Sequence, residues 1–508
     1  MQSIPIFFLI ALPWLNPFAP GPSPAAVPLL FSWACAAGLL VLCSRLSSRD
    51  FCGRLVTTAA WAWVAAGLVS SVMGLCQYFG AGASLLPWVN QTELGEAFAN
   101  LRQRNQFATL TNMALAALLW LVATGRFGAR RAGLAWGAWI AAALLMAGNA
   151  ASSSRTGLLQ LVLLCALAWL WGGWRQPALR RVLLAAVLAY ALAAVLLPWL
   201  AGFGLFGHDA LARLRAGDEL CASRLTLWSN VLQLIAQHPW LGWGWGQLAY
   251  AHYITLFDGP RFCAILDNAH NLPLQLAVTL GIPAALLVCG GFVWWAWRQR
   301  PWAEADPTRR MAWAILAVIG LHSLLEYPLW YGPFQIAFGL CLAWLWLTGA
   351  RRNVASNRPV ALGVSAQVAI VSVAITALAG VLYAAWDYHR VSQIYLAPEQ
   401  RDAPYRGDTL AKVRDSMLFR NPARFAELTI TELTPGNAAQ MRALAGRLLH
   451  YSPEPRVIEK LIAADVLLGR DEDAQFHLAR FRAAFPKDYA QWTADDARLP
   501  QKLRALVP

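Results

Sequence analysis

Long apolar runs constrain this chain more than any motif in it. Runs of membrane-crossing length occupy residues 25–43, 55–78, 106–124, 133–150, 157–171, 182–200, 270–297, 311–325, 333–349 and 361–385, and a shorter run covers 4–15. A helix of about 20 apolar residues spans a bilayer, and helices satisfy their own backbone hydrogen bonds where no water is present. The pattern therefore predicts an all-α, polytopic membrane protein of about eleven transmembrane helices. Run 4–15 has neither a basic leading segment nor a small-residue cleavage site, so it reads as a first span rather than a cleaved signal peptide. Composition agrees: 58% of the residues are apolar and 13% charged, against about a quarter charged in ordinary globular domains.

Charge sets the expected orientation. Alternate connections hold Arg45, Arg49 and Arg54; Arg126, Arg130 and Arg131; Arg175, Arg180 and Arg181; Arg298, Arg300, Arg309 and Arg310; and Arg351, Arg352 and Arg358. The short connections 16–24 and 326–332 carry no basic residue. Arginine-rich connections stay cytoplasmic, so the N-terminus is expected inside and everything after residue 386 outside. Much of the net charge of +14 is then a topology signal, and nucleic-acid binding is set aside.

Three outer connections carry arginines that this rule disfavours. Ala99–Thr109 contains Arg102 and Arg104, Ser152–Gly157 contains Arg155, and the long loop 201–269 contains Arg213, Arg215, Arg224 and Arg261. A planar guanidinium grips phosphate with two parallel hydrogen bonds and stays charged at any working pH. Arg104, Arg155 and Arg224 are therefore candidate phosphate ligands, while Arg213 and Arg215 read as headgroup anchors. Within the loop, Ala222–His238 has the apolar spacing of an amphipathic helix ended by Pro239, and Leu241–Gln247 reads as a tight turn with interfacial tryptophans. His270 falls at the outer mouth of the next span, where a neutral imidazole can act as a base, although a lone histidine at a helix start is more often a cap or a satisfied interfacial residue.

Composition changes sharply beyond the last span. Residues 387–508 hold every lysine and most of the acidic residues, and predict a water-facing helical domain. Within it Pro453–Phe485 reads as two amphipathic helices, a single tetratricopeptide-like hairpin suited to binding peptide or to capping the membrane part, residues 1–386. No His, Cys or Asp spacing typical of a metal site occurs at the outer face. Most cysteines lie inside apolar runs, but Cys221 and Cys263 share the outer loop, where a disulfide between them is chemically allowed.

Taken in order, Gln103-Arg-Asn-Gln106, Ser154-Arg155, Arg224 with Trp228, His238-Pro-Trp-Leu-Gly-Trp-Gly244, Ala269-His-Asn271 and Leu325-Glu-Tyr-Pro-Leu-Trp-Tyr331 resemble the O-antigen ligase and polymerase superfamily. Gln103–Gln106 and Leu325–Tyr331 look most like the bacterial protein O-oligosaccharyltransferases that glycosylate pilins. The resemblance implies an inner-membrane enzyme with a periplasmic site. Its donor would be a glycan on undecaprenyl diphosphate, and its acceptor a serine or threonine of a pilin-like protein, with membrane lipid as the surrounding partner. Transfer would be en bloc, inverting, and without metal or other cofactor. Family roles map onto His270 as the essential histidine, onto Arg155 and Arg224 as diphosphate ligands, onto Gln103, and onto one of Tyr327 and Tyr331.

The chemistry fits that mapping. Diphosphate leaves as a stable anion that arginines can hold, and what remains is to activate a weakly nucleophilic hydroxyl. Asp267 is expected to orient His270 or the acceptor, and Glu326 to bind substrate or hold the outer end of a helix. Asp218 and Glu219 are the other loop carboxylates that a covalent route would need. Two further readings stay open: an O-antigen ligase acting on lipid A-core, and, in a different class, a transporter or flippase of lipid-linked glycan. Against the transporter, the polar residues cluster at the outer face rather than mid-span.

Overall fold

The computed structural model describes residues 3–19, 21–44, 51–127, 132–204, 220–352 and 363–494. Arg45, Arg49, Arg130, Arg131, Arg213, Arg215, Asp218, Glu219 and Arg358 lie outside the described residues, as do the side chains of Arg351 and Arg352. Every regular element among the described residues is helical. The principal helices are α1 (Ser3–Leu15), α2 (Ala26–Ser44), α3 (Val56–Tyr78), α4 (Arg104–Ala123), α5 (Ala132–Ala151), α6 (Arg155–Leu170) and α7 (Pro177–Leu200). There follow α8 (Arg224–Gln237), α9 (Leu248–Ile254), α10 (Leu272–Leu280), α11 (Gly291–Gln299), α12 (Pro307–Ser323), α13 (Gly332–Arg352) and α14 (Val364–Ser392). The C-terminal helices are α15 (Arg420–Ile430), α16 (Ala438–Leu449), α17 (Pro455–Leu467), α18 (Asp471–Ala484) and α19 (Pro486–Ala494).

Among the described residues, five helices are long and apolar enough to cross a membrane: Ala26–Ser44, Gly53–Tyr78, Arg104–Ala123, Pro177–Leu200 and Val364–Tyr395. Ser3–Leu15, Trp136–Ala151, Arg155–Leu170 and Gly332–Thr348 are shorter helices of the same apolar character. The chain is thus a multi-pass membrane protein. Run 270–297, read in the sequence as one span, is divided into α10, a short helix at Ile282–Ala285, a wider π turn at Leu286–Gly290, and α11. The break is at Gly281, whose φ of 88° suits glycine and where a Cβ would collide with the Trp240 carbonyl. Backbone of the Trp-Leu-Gly-Trp-Gly turn docks there: Trp243 and Gly244 N–H donate to the Val278 and Thr279 carbonyls (2.8 and 3.0 Å), and Ile282 N–H donates to the Pro239 carbonyl (2.8 Å). The glycine motif is therefore a clamp on a helix end.

Contacts divide the chain into two compact units. The first comprises Met1–Ala19, Ser23–Gly217 and Ala296–Tyr383; the second comprises Pro20–Pro22, Asp218–Trp295 and Ala384–Pro508. At the heart of the first lies α4, buried along almost its whole length from Gln106 to Leu121. Small residues bring its neighbours close: Gly67 of α3 faces Ala114, and Gly157 of α6 faces Ala108 and Asn149. Buried amides tie these helices together, with Asn112 Nδ2 donating to the Gly157 carbonyl (3.0 Å) and Gln160 Nε2 to that of Val318 (3.0 Å). Arg309 was counted in the sequence as a topology charge. It is buried on Glu304 (Nε to Oε2, 2.6 Å) and also donates to the Leu345 carbonyl and Thr348, so it ties α12 to α13.

In the second unit the long loop and the C-terminal helices share a core. Tyr253 of α9 packs among Leu444, Leu448, Val457, Leu461 and Phe481. His450 stacks on Tyr250 (3.8 Å between ring centroids) and hydrogen-bonds Gln247 (2.7 Å), and Arg480 Nε donates to the Ile254 carbonyl (2.7 Å). The hairpin expected in Pro453–Phe485 is α17 and α18, turning at Gly469. The sequence reading did not separate α15 and α16, which pack ahead of it as further amphipathic helices. Cys221 and Cys263 are joined by a disulfide.

Two histidines make this shared core sensitive to acid. Burial, reinforced by Arg261, holds His252 at about 3, and burial next to Arg480 holds His477 at about 4, both below the ordinary 6.5. The folded unit therefore binds fewer protons than the unfolded chain between about pH 4 and 6.5, so stability is present above 6.5 and falls as pH drops through that window. Thermal unfolding at pH 7.5 and pH 5 should show a lower Tm in acid. His252→Gln with His477→Gln should shrink that difference by at least half.

Candidate functional site

In the first unit, one hydrogen-bond network that includes a buried carboxylate links three separate segments. Glu326, 3% exposed, accepts hydrogen bonds from Gln103 Nε2 (3.1 Å) and Asn105 Nδ2 (3.2 Å). Gln106 Nε2 donates to Gln103 Oε1 (2.9 Å), and Ser154 Oγ donates to Asn105 Oδ1 (2.6 Å). Ser154 also caps α6 by accepting from Gly157 N–H (3.0 Å), which places Arg155 as that helix's first residue. The starts of α4 and α6 and the end of α12 are thereby held in one network.

The remaining candidates of this unit surround it. Tyr327 and Tyr331 stack with ring centroids 5.8 Å apart and flank the 3-10 turn Pro328–Trp330, which follows Glu326 in the chain. Arg104, the first residue of α4, pairs with Glu96. Arg102, which has a left-handed φ of 61°, donates to the Pro17 carbonyl (3.5 Å).

In the second unit the structure builds the backbone around His270. Its φ is 50°, a left-handed conformation uncommon for any residue other than glycine. The surroundings enforce it: His270 N–H donates to Asn268 Oδ1 (2.9 Å), Ala269 N–H to Gln275 Oε1 (2.7 Å), and Trp228 Nε1–H to the Ala269 carbonyl (3.1 Å). Asn271 caps α10 by accepting from Leu274 N–H (3.1 Å). Trp228 lies one turn after Arg224, the first residue of α8, and packs in one apolar cluster with Ala269, the residue before His270. The helix expected at Ala222–His238 is α8; it buries Leu227, Val231, Leu234 and Ile235 on α10 and leaves Leu225 and Leu232 exposed. Asp267 is exposed, and Asn268 rather than Asp267 anchors the histidine's backbone.

Several of these groups were not singled out from sequence: Asn105, Asn268 and Gln275 as holders, and Trp228 as a strut. The signal was present for Gln275, an amide inside an otherwise apolar run. For a metal, the described residues hold no group of three or more His, Cys, Asp or Glu with suitable placement.

Similarity to known proteins follows the same residues. Residues 97–122 match a protein glycosylation ligase family, 140–289 an O-antigen ligase family, and 310–500 a family described as virulence factor membrane-bound polymerase, C-terminal. The first interval contains Gln103 to Gln106, the second Arg155, Arg224 and His270, and the third Glu326 to Tyr331. The chain is 24% identical over 451 residues to a general O-oligosaccharyltransferase of Acinetobacter baylyi, covering 86% of this chain and 74% of that protein. It is 24% identical over 306 residues to a ComP-specific O-oligosaccharyltransferase of the same organism, covering 60% of this chain and 53% of that one. The resemblance read from the residues therefore holds: the chain is a glycosyltransferase similar to O-oligosaccharyltransferases, with separate segments that match O-antigen ligase and protein glycosylation ligase families.

Proposed function

We propose that this protein transfers a preassembled glycan en bloc from undecaprenyl diphosphate to serine or threonine hydroxyls of periplasmic, pilin-like proteins. In this reading it lies in the bacterial inner membrane with about eleven spans, the N-terminus cytoplasmic, and residues 387–508 periplasmic as a tetratricopeptide-like acceptor-binding part. Arg155 and Arg224 hold the diphosphate, so that charge developing on the leaving group meets fixed cations and no metal is required. His270 takes the acceptor's proton as the hydroxyl attacks the anomeric carbon, which inverts it. Gln103, Arg104, Glu326, Tyr327 and Tyr331 shape the donor's surroundings, and Asp267 steers His270 or the acceptor.

The observation that carries this reading is the way polar groups are spent. Glu326, Asn105 and Ser154 pin the residue from which Arg155 extends, and Asn268, Gln275 and Trp228 force the backbone at His270 into a disfavoured conformation. Backbone strain held in place by several hydrogen bonds is frequent at functional positions, and it supports a chemical role for His270. A transporter would instead be expected to gather such groups at mid-span.

The decisive experiment expresses the chain with one defined lipid-linked glycan in a host lacking its own ligase. Pilin-like protein should become glycosylated while lipid A-core stays unmodified; the reverse pattern replaces this reading with the O-antigen ligase. In the purified enzyme, His270→Ala should lower turnover by about 10²–10⁴-fold, the range for a general base, without loss of membrane insertion, and near-normal turnover removes the proposed base. Activity should survive EDTA. Glu326→Gln turns one of the two accepting oxygens into an amide donor that faces another amide donor, and should lower transfer at least tenfold. Adding Asn105→Asp restores donor–acceptor complementarity, since a carboxylate at position 105 accepts from both the new amide at position 326 and the Ser154 hydroxyl, and should recover most of the loss.

A further inference from the structure

A second feature of the first unit lies at the far end of α6 from Arg155. Where α4 and α6 finish and α7 and α12 begin, the helices leave a slot of about 140 Å³, walled by Leu119, Leu167, Ala168, Leu183 and Met311. A wider pocket of about 640 Å³ adjoins it, sharing Trp171 and Arg310 with the slot and adding Arg175, Trp169 and Trp302. The two cavities differ in chemistry. The slot is lined mainly by apolar side chains, with Gln176 and Arg310 also in its wall, while the wider pocket combines two guanidinium groups with indole rings.

The arginines are available for an anion. Arg310 spends Nε on the Glu304 carbonyl (2.7 Å), and neither Arg310 nor Arg175 forms an ion pair among the described residues. Glu304, the nearest carboxylate of the pocket, is buried and paired with Arg309. Trp169 and Trp302 are exposed at 73% and 41%, as indoles are at a membrane interface. Trp171 is fixed by donating to the Pro301 carbonyl (2.8 Å), so the ring shared by both cavities is held in place.

We infer that this pair of cavities binds an anionic phospholipid, with one acyl chain entering the slot and the phosphate seated between Arg175 and Arg310. A soluble phosphate would leave the slot without an occupant, and a neutral lipid would leave the arginines without one. Basic pockets between membrane helices recognise anionic headgroups through this combination of charge and hydrocarbon. The donor glycolipid is a different occupant of a different place, because α6 has 16 residues and so separates Arg155 from this pocket by roughly 24 Å. The inference needs only the multi-pass membrane assignment, not the proposed acceptor.

Native mass spectrometry of the full-length protein, delipidated and then offered phosphatidylglycerol, phosphatidylethanolamine or undecaprenyl phosphate, tests it. Phosphatidylglycerol should be retained at least fivefold more than phosphatidylethanolamine. Arg175→Gln with Arg310→Gln should abolish that preference, and Ala168→Phe, which fills the slot and spares the arginines, should reduce retention of phosphatidylglycerol by a similar factor. Equal retention of the two phospholipids, retention unchanged in both variants, or displacement of phosphatidylglycerol by equimolar undecaprenyl phosphate would overturn it. Glycan transfer in detergent by the Ala168→Phe protein should stay within about twofold of the parent, which separates loss of this site from loss of the fold.

Discussion

The first unit is organised around a buried carboxylate that accepts two amide hydrogen bonds. A carboxylate taken out of water is costly unless its oxygens are satisfied, and Glu326 is satisfied by Gln103 and Asn105, residues more than 200 positions away in the chain. Because Asn105 in turn receives Ser154, the requirement passes from the end of α12 through the start of α4 to the cap of α6. Moving any one of these elements would leave a buried polar atom without a partner. The arginine that follows the cap inherits a fixed origin from this arrangement, which suits a group meant to meet charge without reorganising.

The same logic works on the backbone of the second unit. The residue before the cap of α10 adopts a conformation that L-residues avoid, held by two side-chain amides and an indole. A few residues further on, Gly281 interrupts the helix so that the tryptophan-glycine turn can dock on its carbonyls. The loop that carries Arg224 and His270 is therefore not a free excursion. It is stapled by a disulfide, clamped at the end of α10, and packed through Tyr253 into the C-terminal helices. A part of the chain that composition alone would assign to a separate water-facing domain shares its core with the loop.

Hydropathy, charge spacing and residue type determined a good deal by themselves. They exclude a soluble enzyme, locate the apolar helices to within a few residues, mark the ends where arginine collects, and gather Gln103, Arg155, Arg224, His270 and Glu326 as the residues to watch. These are properties that one residue, or a window of neighbours, possesses without reference to the rest of the chain. The tertiary structure decided what depends on partners distant in sequence. It divided run 270–297 at Gly281, because only the returning turn at 239–244 supplies carbonyl and amide groups to a broken helix. It turned Arg309 from a surface charge into a buried pair and anchored the backbone of His270 through Asn268. It also joined Glu326 to Asn105 and Ser154. Hydrogen-bond complementarity across hundreds of residues leaves no periodic trace, so folding alone reveals which polar side chains brace one another.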